Sequence, residues 1–216
     1  MLLSYITDRT QFPGDESARG RALLAKIAEA AHCGVDFIQL REKDLPIREL
    51  EALARAALRV VRENSPPGNN RVQTARLLIN SRSDVALACG ADGVHLRSDD
   101  ISPTEVRKIW AQAGDPARAL VSVSCHSVAD VARAASEKAD FAVFAPVFEK
   151  KDAPQVNPAG LDGLRDACRQ KIPVLALGGV TMENALACLD AGVAGIAAIR
   201  LFQESDIAEV VRQLRG

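Results

Sequence analysis

No apolar run in this chain of 216 residues approaches the ~20 consecutive positions that a membrane-spanning helix needs, so an integral membrane protein is not expected. Charge of one sign is not in excess. Lys plus Arg number 27 against 28 Asp plus Glu, so no global field steers the chain toward nucleic acid or an anionic membrane. Cysteine is sparse and unpaired: the five, at 33, 89, 125, 168 and 188, are odd in number and form no C-x-x-C. That pattern speaks against disulfides and zinc and for small core residues in a reduced compartment. The opening MLLSYITDRTQF has neither a basic stretch nor a long apolar one, so a signal peptide is not expected. A glycine-rich first turn is missing too, since TDRTQFPGDES contains no G-x-G-x-x-G. The expectation is a cytoplasmic protein whose 48% hydrophobic content is ample for one well-buried core.

What the chain has is alternation. Short β-branched runs read as strands at 2–8, 36–42, 76–81, 93–98, 120–126, 141–148, 173–179 and 195–202. Helix-period segments lie between them, from RALLAKIAEAAHCG and IRELEALARAALRVVREN to DIAEVVRQLRG. Ser102-Pro103 and Asp130 read as helix starts; Gly34, Gly90, Gly114 and Gly192 read as helix ends. Eight strands alternating with eight helices demand parallel, right-handed crossovers, and that count in this length is what a (β/α)₈ TIM barrel needs. An open doubly wound sheet is the alternative, with fewer repeats and the missing Gly-rich turn. Residues 1–216 are read as one TIM-barrel domain, with the Pro/Asn stretch SPPGNNRVQT (65–74) as an inert loop at the barrel's bottom.

In such barrels the pocket is built at the C-terminal strand ends. The second strand raises a question there: FIQLREKD places Gln39, Arg41 and Lys43 two apart, on one face of a core strand. The other ends offer Asn80 and Ser81, then Arg97, Ser98, Asp99 and Asp100, then Ser122, Ser124 and His126. Lys150 and Lys151 follow the sixth strand, Gly178-Gly179 closes the seventh, and Arg200 lies on the eighth. Each has a bland reading. Arg41 pairs with Glu42 or Asp8; His126 is a rim histidine, with His32 and His95 weaker candidates still. Lys150 and Lys151 are a solvated loop, and Asp99-Asp100 caps a helix. Convergence decides against the bland set, because cations, amides and a Gly-Gly helix entry meet one pair of carboxylates. A phosphate-rich ligand uses all of them, with the carboxylates holding Mg²⁺.

The segments YITDR (5–9), GVDFIQLREKD (34–44), LLINSRSDVALACGADGVHLRSDD (77–100), VSVSCHS (121–127), APVFEKKDAP (145–154), LALGGVTMENA (175–185) and GIAAI (195–199) together resemble the thiamine-phosphate synthase family, including its thiazole tautomerase branch. The resemblance runs over nearly the full length. It implies a transferase of thiamine biosynthesis: hydroxymethylpyrimidine diphosphate loses pyrophosphate, and a thiazole phosphate attacks the resulting pyrimidinyl-methyl cation. It implies that Gln39, Arg41 and Lys43 bind the diphosphate, joined by Asn80 and Ser124. It also implies that Asp100 ligates Mg²⁺ and that Gly179 lends a backbone N–H to the thiazole phosphate; Asp99 is expected to help Asp100, and Arg200 stands beside Gly178-Gly179 as a further phosphate-binding candidate. Arg41, Lys43, Ser124 and His126 are the candidate catalytic residues, and Lys150 and Lys151 complete the substrate-binding set.

Departures from the family pattern are local. Ser81 stands where the synthases carry a second Asp, which weakens the expected Mg²⁺ site. HLGQ appears as HLRS, with Arg97 in place of glycine; both threonines of the sixth-strand loop are gone; Arg200 replaces a serine, and the two arginines either supply charge that the lost ligands do not or fill the pocket. The tautomerase branch offers a second reading, an isomerase that moves a proton with His126. Its Gly-His-Val-Phe turn is absent, however, and Ala145-Pro146-Val147-Phe148 is closer to the synthases. A non-catalytic phosphate-ligand binder is the third. Partners in all three are small phosphorylated molecules. Oligomeric state, including a homo-oligomer, stays open.

Overall fold

Residues 1–66, 74–114, 119–149 and 155–216 are described by the computed structural model. Eight parallel strands close on themselves in chain order: β1 (Leu2–Ile6), β2 (Phe37–Leu40), β3 (Arg76–Asn80), β4 (Gly93–Leu96), β5 (Leu120–Cys125), β6 (Phe141–Phe144), β7 (Val174–Ala176) and β8 (Gly195–Ala198). The helices between and after them are α1 (Glu16–His32), α2 (Ile47–Asn64), α3 (Ser83–Cys89), α4 (Pro103–Gln112), α5 (Val128–Ser136), α6 (Gly160–Cys168), α7 (Ala185–Asp190), α8 (Arg200–Gln203) and α9 (Ile207–Arg215). This is the (β/α)₈ barrel that the alternation implies.

Strand alternation sorts the core into two layers. Ile6, Phe37, Leu78, Phe141, Val143, Leu175 and Ala197 form one apolar cluster inside the barrel. Phe37 stacks on Phe141 there with ring centroids 4.7 Å apart. Their strand neighbours Ile38, Leu77, Val94, Val121, Ala142 and Ile196 belong to the other, larger cluster, packed under the helices. All five cysteines are free thiols, and Cys89, Cys125 and Cys188 are buried.

Three of the four even strands are entered through the same device. Asp36, Asp92 and Asp140 stand just before β2, β4 and β6, and their carboxylates accept from the backbone N–H of Leu3, Leu77 and Val121 on the preceding strands. A charge-assisted bond of this kind ties each strand's entry to its neighbour. Two residues earlier the chain turns with positive φ, at Gly34, Gly90 and Lys138. The lysine occupies a conformation that suits glycine.

Every strand begins where the alternation places it or one residue later, but the strands end early. β2 stops at Leu40, so Arg41 and Lys43 stand in the turn beyond it; β6 stops at Phe144 and β7 at Ala176. β8 also ends sooner than expected. Arg200 opens the short α8 rather than closing a strand, because residues 200–203 coil to place Phe202 beside Tyr5 (6.1 Å between ring centroids) and Gln203 against β1. The start of α5 also differs: Ser127 is the cap and Asp130 completes its capping box from the third helical position. The 65–74 stretch lies mostly outside the described residues.

Two glycines sit where strands touch. A Cβ on Gly195 would lie 2.0 Å from the Leu2 carbonyl oxygen, and one on Gly93 would lie 1.9 Å from that of Leu120. Backbone cannot swing aside as a side chain does, so the β1–β8 seam admits no larger residue. Gly195→Ala is expected to destabilise the fold by about 3 kcal/mol or more, at or above the top of the overpacking range, read as a lower urea midpoint; an unchanged midpoint would show that the seam yields.

Candidate active site

Above the apolar layer, the same alternation lifts a polar layer into the barrel mouth. Gln39 stands two residues beyond Phe37, Asn80 beyond Leu78, and His95 beyond Gly93. These side chains, with Ser124, line a cavity of about 850 Å³ that opens at the C-terminal strand ends. Arg41, Lys43, Arg97, Asp99, His126, Gly178, Gly179 and Arg200 line it as well. Nearly every residue that the strand-end inventory picked out therefore faces one space. Ser81, Asp100 and Ser122 are not on its wall, and Lys150 and Lys151 lie outside the described residues.

Deep in the mouth the groups are neutral and paired. Gln39 Nε2 donates to Asn80 Oδ1 at 2.9 Å, and Asn80 Nδ2 to Ser81 Oγ at 3.1 Å. Ser81 adopts φ 60°, a left-handed conformation uncommon for serine. His95 is buried with its two ring nitrogens 2.8 Å from Ser122 Oγ and from Ser124 Oγ. Burial first, and Arg41 second, push its pKa down to about 4, so it is a neutral imidazole at pH 7. Sequence reading ranked His95 below His126; the signal that would have raised it is its place two residues below Arg97 on an inward face.

The cations ring this layer. Arg41 and Lys43 have no carboxylate partner within 4 Å among the described residues. The bland expectation that Arg41 pairs with Glu42 or Asp8 is not met, because Glu42 turns the other way. Its carboxylate is buried and accepts from Thr7 Oγ1 (2.5 Å), the Arg9 backbone N–H (3.0 Å) and Arg9 Nη1 (3.3 Å). Lys43 is held below the usual lysine range by burial and then by Arg41 and Arg97, which places three cations within electrostatic reach of each other.

Arg97 has partners. Nη2 lies 2.9 Å from Asp99 Oδ2 and Nε lies 3.4 Å from Asp100 Oδ1, while the Arg97 backbone N–H donates to Asp100 Oδ2 at 2.8 Å. Arg200 is half-exposed, 3.9 Å from Glu204. His126 is exposed, and its Nδ1 is 2.8 Å from the Ala145 carbonyl. A carbonyl only accepts, so Nδ1 carries the proton and Nε2 is left for the cavity. Across the mouth, the backbone N–H groups of Gly178 and Gly179 meet no acceptor among the described residues. Gly179 runs so close to the β6 loop that a Cβ would lie 2.6 Å from the Glu149 carbonyl oxygen.

The family model "Thiamine monophosphate synthase" matches residues 5–202. The chain belongs to this family. A thiamine-phosphate synthase of Methanoculleus marisnigri is 37% identical to it, over 99% of this chain and 93% of its own length. One from Chloroflexus aurantiacus is 34% identical over 100% and 95%. A provisionally named thiamine-phosphate synthase of Geobacter sulfurreducens reaches 40% over 98% and 92%. Among solved structures, a thiamine phosphate pyrophosphorylase from Pyrococcus furiosus superposes with a TM-score of 0.78 at 30% identity, covering 99% of this chain and 93% of that one. Members of the thiamine monophosphate synthase family thus resemble this chain end to end.

The buried neutral histidine has a consequence for stability. Between about pH 4 and 6.5 the unfolded chain binds a proton at residue 95 that the folded chain refuses, so stability falls as pH drops through that window. The full effect is roughly 3 kcal/mol, at about 1.4 kcal/mol per pH unit. Urea unfolding at pH 7 and pH 4.5 should show a smaller acid loss in His95→Asn than in the parent protein. Equal losses would remove His95 as the cause.

Proposed function

We propose that the protein is a thiamine-phosphate synthase. It joins hydroxymethylpyrimidine diphosphate to a thiazole phosphate and releases pyrophosphate. The observation that carries this reading is the pair of cations, Arg41 and Lys43, without carboxylate partners among the described residues at the mouth of a cavity large enough for two small substrates. Family membership supports it. Both substrates are small and phosphorylated, and a cytoplasmic biosynthetic enzyme with no nucleic-acid partner is part of the same reading.

The chemistry asks little of acids and bases. As the C–O bond to the diphosphate breaks, negative charge grows on the leaving group, and Arg41 and Lys43 stabilise it where it grows. Burial, then Arg41 and Arg97, hold the Lys43 pKa below the usual lysine range. The Gln39–Asn80 pair and the Ser124 hydroxyl supply neutral hydrogen bonds beside the reacting carbon and the leaving oxygens. Lys150 and Lys151 belong to the same substrate-binding proposal from the sequence alone. The thiazole phosphate sits across the mouth, on the N–H groups of Gly178 and Gly179 and the Arg200 guanidinium. That placement brings its ring nitrogen toward the cation left by ionisation.

Family resemblance also implies Mg²⁺ at Asp100 and Asp99, and the donor set argues against a resident site. Both Asp100 oxygens and one of Asp99 already face Arg97, and Ser81 offers a neutral hydroxyl where a second carboxylate is usual. Mg²⁺ binds through one or two carboxylates plus substrate phosphates. A guanidinium between those carboxylates occupies the place of a cation.

The test is direct. Purified protein incubated with both substrates should yield thiamine phosphate and stoichiometric pyrophosphate, whereas no product with or without Mg²⁺ sinks the proposal. Arg41→Ala should stay folded, since only its backbone N–H bonds Thr7, and should lose roughly 1.5–3 kcal/mol of pyrophosphate binding with one charge-assisted contact. An unfolded variant with unaltered affinity would point to a structural arginine instead.

His126 separates the transferase from an isomerase. Ionisation needs no base at that position, so His126→Ala should keep most thiamine phosphate formation. A loss of several orders of magnitude, with proton exchange on a thiazole phosphate in the parent protein, would favour the isomerase.

A further inference from the structure

A cation already stands where the family resemblance calls for a metal. Arg97 extends the inward-facing sequence of β4, two residues beyond buried His95, and lines the same cavity as Arg41 and Lys43. Its guanidinium is braced from two sides, by Asp99 at 2.9 Å and Asp100 at 3.4 Å. The Asp100 carboxylate also grips the Arg97 backbone N–H at 2.8 Å, so main chain and side chain are fixed by one residue. Five N–H donors in a rigid fork leave most of them for a ligand after these contacts are made. Lys43 and Arg97 line the same cavity.

For a dissociating diphosphate, a fixed guanidinium does part of what a divalent ion does. It neutralises charge on the outer oxygens and offers paired hydrogen bonds. It differs in needing no recruitment from solution, and in spending two carboxylates on its own orientation. Mg²⁺ at Asp100 would have to displace Arg97 first and would then meet an uncharged Ser81. We propose that Arg97, oriented by Asp99 and Asp100, is the third cation of the diphosphate site and takes the place of a metal ion, so that this chain binds inorganic pyrophosphate and its diphosphate substrate without Mg²⁺. This deepens the synthase reading and rests on it for the identity of the substrate, though not for the binding of pyrophosphate.

Calorimetric titration with inorganic pyrophosphate tests it, once in excess chelator and once with saturating Mg²⁺. The parent protein should bind with similar affinity in both. Arg97→Gly, at an exposed loop position, should fold as the parent does and lose at least about tenfold in affinity in chelator, the effect of one lost charge-assisted contact. Arg97→Lys should lose less. The double variant Arg97→Gly with Ser81→Asp should bind pyrophosphate better with Mg²⁺ than without, because it frees Asp99 and Asp100 and adds a third carboxylate, and Asp suits a left-handed backbone. Parent protein that binds pyrophosphate only with Mg²⁺ overturns the inference, as does Arg97→Gly with parental affinity in chelator. Product assays keep the two proposals apart. Thiamine phosphate formed only with Mg²⁺ sinks the role of Arg97 and leaves the synthase standing. No thiamine phosphate at all, beside metal-free pyrophosphate binding lost in Arg97→Gly, sinks the synthase and leaves the anion site.

Discussion

Arg9 decides which way the second strand's loop faces. Its guanidinium, almost wholly buried, donates to both oxygens of Asp44 (2.6 and 2.7 Å), to Glu42 and to Glu16. Asp44 in turn is held below the usual carboxylate range by that bond. Burying an ion pair is expensive unless geometry is good and the remaining donors are used, and here a bidentate contact and a second carboxylate use them. Glu42 and Asp44 alternate with Arg41 and Lys43 along the chain. Pinning the acids outward leaves the two cations on the cavity side, with no carboxylate within 4 Å of either among the described residues. The positive charge of the mouth therefore depends on a contact that is not in the mouth.

Depth sorts the remaining polar groups. Gln39, His95 and Ser122 lie buried and satisfy one another or their neighbours, as neutral groups must where water is excluded. Full charges stay at the rim, where Arg41 is half-buried and Lys43, Arg97 and Arg200 are exposed. Desolvation explains the order, since an ionised group pays far more than an amide for the same burial. It also explains why His95 is neutral: a protonated ring beside Arg41 would be a second cation in a dry site.

Two of the departures from the family pattern, Ser81 and Arg97, fall on neighbouring strand ends, where the Ser81 N–H donates to the His95 carbonyl at 2.8 Å. Ser81 neighbours Asn80, and Arg97 and its two acids close the next strand end. Loss of one carboxylate and gain of one guanidinium leave local charge less negative by two, the charge of the ion they would replace. That coincidence joins two substitutions that look unrelated along the chain.

Much was legible in advance because it depends on local periods. Strand alternation placed Gln39, Arg41 and Lys43 on one face, and β–α repetition implied the barrel. Family segments such as GVDFIQLREKD pointed to the mouth. What local pattern could not reveal was where strands stop and which partner each charge takes. β8 ends before Arg200 because Phe202 and Gln203 are claimed by β1, some two hundred residues away in sequence. Glu42 sits beside Arg41 in the chain, yet pairs with Arg9 across the barrel wall, since adjacent residues on an extended strand point to opposite faces. His95 looked like an ordinary strand histidine until β5 brought two serines to its two nitrogens. Side-chain direction follows from the sequence; partnership and burial belong to the closed barrel, because only closure decides which strands are neighbours and how much water remains between them.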